Sequence, residues 1–89
     1  MFSDIGEETA NKYTIEQIET ALETLQDEEK CGQILRAKGI VEGTDGQWIH
    51  FDYVPGEPEV RTGGAETTGM ICVIGVDIKE DTVRGLFDL

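Results

Sequence analysis

The stretch GQILRAKGIV, residues 32–41, holds five aliphatic residues and two of the seven basic residues in an acidic chain. Its apolar content asks for a buried strand, and its cations ask for water. Side chains on a strand alternate between two faces. Strict alternation puts Leu35, Ala37, Gly39 and Val41 on one face and Ile34, Arg36, Lys38 and Ile40 on the other. The first face suits a core. The second is mixed, so it is either solvated or pressed against something else.

Reading outward, the next strong signals are turns. Asp45-Gly46 marks a hairpin leading into WIHFDYV, residues 48–54. There Ile49, Phe51 and Tyr53 alternate with Trp48, His50 and Asp52. Pro55-Gly56 turns the chain again into EPEVR, an edge strand, because Pro58 has no N–H for a central ladder. TGGAETTG, residues 62–69, reads as a polar loop, and MICVIGV, residues 70–76, as a central strand buried on both faces or nearly so.

Upstream, YTIEQIETALETLQ, residues 13–26, reads as a helix. Thr14 and Gln17 make a T-x-x-Q capping box, with Tyr13 and Ile18 at the staple positions. Ile15, Ile18, Leu22 and Leu25 form the apolar stripe, with Glu16, Glu19 and Glu23 opposite. This helix is expected to stop near Asp27, with Gly32 in the turn that follows. Residues 2–5 suggest a short first strand. Val83, Leu86 and Phe87 indicate a short last helix, for which Asp77 is a possible cap and Lys79 a poor one. The order is β-α-β-β-β-β-α. It predicts an α+β domain with a mainly antiparallel sheet of four to five strands and two helices on one face.

The whole chain, residues 1–89, is long enough for one modest core. A net charge of -12 and a pI near 4.2 exclude nucleic acid and anionic membrane as partners, since both need a basic surface. The sequence lacks an apolar run of membrane-spanning length and a signal-peptide pattern. Cys31 and Cys72 are too far apart in sequence for a zinc ribbon and read as two reduced thiols of a cytoplasmic protein.

Motifs for chemistry are scarce. The chain contains no P-loop, G-x-S-x-G, H-E-x-x-H or EF-hand pattern. The glycine-rich loop leads into a strand, whereas a phosphate loop opens a helix. His50 is the only histidine. With Cys31 and Cys72 it would supply three metal ligands, but Cys72 lies in an apolar strand and reads as a small hydrophobe. The pairs Glu7-Glu8 and Glu28-Glu29 read as solvated. No catalytic, cofactor or metal site is expected. The candidate working surface is the mixed sheet face, with Arg36, Lys38, Trp48 and His50, because a tryptophan beside cations is a common partner-contact signature.

ILRAKGIV, QWIHFDYVPGEPEVR and GMICVIGVDIKEDTVRGLFDL together resemble the C-terminal domain of the CobW family, GTP-binding proteins linked to cobalamin biosynthesis and metal insertion. Residues 35–39 match that domain's Leu-Arg-Ala-Lys-Gly strand, and residues 73–75 its apolar strand ending in Ile-Gly. Residues 1–25 resemble its opening strand, cap and helix. The family's GTPase domain, with its P-loop and cysteine-rich metal motif, is missing, and Lys79 departs from the polar cap expected before the last helix. The resemblance implies a domain excised from a longer chain. It would be a non-catalytic accessory module of a GTP-dependent metallochaperone, contacting the GTPase domain in cis or a metal-receiving client. GTP, magnesium and a transition metal would belong to the GTPase domain. The competing expectations are a small stand-alone metal-binding protein or enzyme using His50, cysteine and acidic ligands, and a purely structural appendage.

Overall fold

The computed structural model describes residues 1–89. The α+β class holds. The strands are β1 (Phe2–Thr9), β2 (Lys12–Tyr13), β3 (Gln33–Gly43), β4 (Trp48–Val54), β5 (Glu57–Gly63) and β6 (Gly69–Val76). The helices are α1 (Ile15–Thr24), α2 (Glu28–Cys31) and α3 (Glu80–Leu86). The sheet order is β1-β6-β3-β4-β5, all antiparallel, with β2 added parallel to the end of β3. β3 therefore has neighbours on both sides, and β5 is the edge that Pro58 requires.

α1 starts where the capping box places it. Thr14 Oγ1 accepts from the Gln17 N–H at 3.1 Å, and Gln17 Oε1 accepts from the Thr14 N–H at 2.8 Å. The helix buries Ile18, Ala21 and Leu22, with Leu25 at its C-cap. Ile15 is 40% exposed, so the stripe begins one turn later than the spacing suggested. The helix also ends at Thr24. Asp27 does not close it but caps the extra helix α2, accepting from the Glu29 and Lys30 N–H groups. There are thus three helices where two were expected.

The core is one cluster. Ile18, Ala21, Leu22 and Leu25 from the first helix region, with Val83 and Phe87 from the last, cover Ile5, Ile34, Ala37, Val41, Ile49, Phe51, Tyr53, Ile71 and Val73. Phe51 and Phe87 stack with ring centroids 5.7 Å apart. Strand alternation leaves the opposite sheet face without helices.

Four expectations need correction. Leu35 is only half-buried, while Ile34 is 3% exposed. The register of β3 on β6 slips between Ile34 and Arg36. One extra residue at a bulge reverses the alternation on its N-terminal side, so Ile34 replaces Leu35 in the core. β6 is buried on one face only, with Met70 50% and Ile74 44% exposed. β1 runs eight residues rather than four, paired along its whole length with β6. Finally, Asp77 adopts a left-handed backbone (φ 51°) and does not cap α3. Lys79 holds the N-cap position without a side-chain cap; its ammonium donates instead to the Glu29 carbonyl of α2.

Candidate functional site: the helix-free sheet face

Cross-strand register assembles the open face row by row. Lys38 stands opposite Asp52 on β4 and Cys72 on β6. Ile40 stands opposite His50 and Met70, and Glu42 opposite Trp48. β5 adds Arg61 beside His50 and Glu59 beside Asp52. The four residues singled out from the sequence, Arg36, Lys38, Trp48 and His50, therefore share one face on adjacent strands. Arg36 and Lys38 are exposed; Trp48 and His50 are half-buried. The long stems of the two cations lie along the sheet while their heads reach water.

Arg36 grips Asp52 with both ends of its guanidinium. Nε donates to Oδ1 at 3.3 Å and Nη2 to Oδ2 at 2.9 Å. This fork holds the Asp52 carboxyl below its ordinary range, with Lys38 adding a smaller pull, and raises the Arg36 pKa in return. Both side chains are partly in water, 51% and 31% exposed, so the pair adds little to stability. Its contribution is present above the unfolded aspartate pKa and is lost as pH falls through the lower, folded value. Asp52→Asn should therefore remove a small part of the acid limb below about pH 4. The check is the thermal midpoint followed from neutral to acid pH in both proteins; identical limbs would refute it.

His50 is not free for chemistry. Its Nε2 lies 2.8 Å from the Gly64 carbonyl, which ties β4 to the loop of residues 64–68. Cys31 is fully buried against the helices, its thiol donating to the Thr24 carbonyl. Burial, with Asp27 nearby, pushes the Cys31 pKa up. Cys72 is half-buried in the row facing away from the helices. The three proposed metal ligands thus lie on different sides of the sheet, and no group of three or more His, Cys, Asp or Glu side chains is placed to hold a metal ion. These residues do not fit a zinc site. The loop of residues 64–68 opens onto β6, not onto a helix, so it does not fit a phosphate cradle either.

Sequence reasoning missed two features. Glu7, read as solvated, forms a 2.6 Å ion pair with Arg84 of α3. The exposed apolar run on β6 was hidden because MICVIGV reads equally well as a two-sided core strand. No helix is long and apolar enough to cross a membrane.

The family described as "Cobalamin synthesis protein cobW C-terminal domain" matches residues 8–88. This chain belongs to that family. No curated protein sequence matches it. Among solved structures, the Zn(II)-bound YjiA GTPase from E. coli superposes with a TM-score of 0.74 at 22% identity. A Zn(II)-bound triple mutant of YjiA gives 0.77 at 22% identity. Each comparison covers 98% of this chain and 29% of the solved chain. At that identity the likeness shows the shared fold. The CobW C-terminal domain described here spans less than a third of those proteins.

Proposed function

We infer that this domain is a non-catalytic interaction module of a cytoplasmic CobW-type, GTP-dependent metallochaperone. Its helix-free sheet face would contact the GTPase domain in cis or a metal-receiving client. The observation that carries this reading is the face itself. Trp48 and His50 stand beside Arg36 and Lys38, and next to them Met70 and Ile74 remain exposed on a central strand. Natural sheets leave such apolar surface uncovered mainly where something binds. GTP, magnesium and the transition metal belong to the GTPase domain in this reading.

The test is association of the 89-residue chain with a separately produced GTPase domain of the family, with and without nucleotide. Arg36→Ala, Lys38→Ala and Trp48→Ala should each weaken association while leaving thermal unfolding nearly unchanged. Unfolding caused by either cation substitution would place that residue in a buried network. Unchanged association in all three would remove the open face from the function. Calorimetry of the chain with GTP and magnesium should show no binding heat. Native mass spectrometry after zinc exposure should show no retained stoichiometric metal; a single zinc lost in His50→Ala or Cys72→Ala would favour the metal-binding protein instead.

A further inference from the structure

Six of the seven basic side chains have a partner. Lys12 pairs with Glu42, Lys30 with Asp27, Arg36 with Asp52, Arg61 with Glu59 and Arg84 with Glu7. Lys79 donates to a backbone carbonyl. Lys38 has neither an ion pair nor a hydrogen bond, although the chain carries 19 acidic residues. Its cross-strand neighbour Asp52 is taken by Arg36.

Lys38 stands at the rim of a depression of about 350 Å³ between β3, β6 and the loop after β5. Ile40, Met70 and Cys72 supply its apolar floor, and Glu66 and Thr68 its far wall. His50 fixes the start of that loop through Gly64. An apolar floor with one free ammonium at one rim and one carboxylate at the other is complementary to a particular kind of segment. An apolar side chain fills the floor, and a single carboxylate beside it reaches Lys38. A polyacidic segment is repelled by Glu66 and by the net charge of -12, and a basic one meets Lys38.

We propose that this depression is the anchor point for an apolar segment bearing one isolated acidic residue, contributed by the adjoining GTPase domain. The proposal rests on the interaction-module reading and specifies where on the face, and to what chemistry, the contact is made. The apolar side chain supplies the buried area, and the ammonium–carboxylate contact sets the register.

Isotope-labelled chain, followed by amide chemical shifts, is titrated with N-acetyl-Leu-Glu-Leu-amide and with its Leu-Lys-Leu counterpart. The acidic peptide is expected to shift the amides of Lys38, Ile40, Met70 and Cys72 and to bind about fivefold more tightly than the basic one, the range of an exposed ion pair. Lys38→Gln should abolish that difference, and Met70→Ser should weaken both peptides. Both variants alter exposed side chains and leave the core intact. Equal binding of the two peptides, or shifts elsewhere on the domain, would overturn the proposal. The GTPase domain itself is the second titrant. Shifts at Trp48 and His50 without shifts at Lys38 and Met70 would overturn this anchor while leaving the interaction face standing. No shift anywhere on the open face would overturn the interaction face and the anchor with it.

Discussion

Phe51→Ala is expected to destabilise the domain by about 3–5 kcal/mol, the range for deleting a buried aromatic ring. A domain of this size is stable by only about 5–15 kcal/mol, so much of the margin would be lost. Phe51 is 2% exposed and stacks on Phe87 at an interplanar angle of 12°. Phe87 in turn anchors the end of the chain, since its carbonyl accepts from the Tyr13 hydroxyl. One ring therefore joins the central hairpin to the last helix and, through Tyr13, to the start of α1. Truncation leaves a cavity between layers that cannot close without moving α3. Urea denaturation is the measurement, with Phe51→Leu as the milder control. A loss below about 1.5 kcal/mol would mean that the site collapses freely and that the ring is not the joint it is taken to be.

The second large effect is at Gly39, the glycine of the RAKG stretch. It lies directly opposite Phe51 in the β3–β4 register, and the phenyl ring folds over it. A Cβ at Gly39 would stand 2.5 Å from Phe51 Cε2 and Cζ and 2.7 Å from the Met70 carbonyl oxygen. The ring is held by Phe87, and the carbonyl belongs to β6, so neither can yield cheaply. The glycine is required here for close approach of a neighbour, not for an unusual backbone angle. Gly39→Val should cost at least the ~1–3 kcal/mol typical of overpacking a core. Pairing Gly39→Ala with Phe51→Leu should recover part of the loss of the two single variants, because a smaller side chain vacates the space the new methyl needs. Strict additivity in that double-mutant cycle would show that ring and glycine are not in conflict.

Local signals carried the sequence reading a long way. The Thr14–Gln17 box, the Asp45-Gly46 turn and the alternation of residues 48–54 each depend on neighbours within a few positions. Each is found where the chain predicts it. The helix-free placement of Arg36, Lys38, Trp48 and His50 followed from the same period-2 rule. The errors share a different origin. The bulge at Leu35 exists only in the pairing of β3 with β6, residues more than thirty-five positions apart. The full length of β1 comes from its ladder with β6, not from its polar side chains. The one-sided burial of β6 follows from which face the helices cover.

By itself, then, the sequence determined the α+β class, the capped first helix, the hairpin and the division of β4 into core and open faces, because those are set by periodicity and short-range hydrogen bonding. Only the tertiary structure decided the strand order, the exchange of Leu35 for Ile34 in the core, the separation of His50 and Cys72 from Cys31, and the solitary state of Lys38. Those depend on which distant strands become neighbours, and a strand's hydrogen-bonding edges do not name their partner.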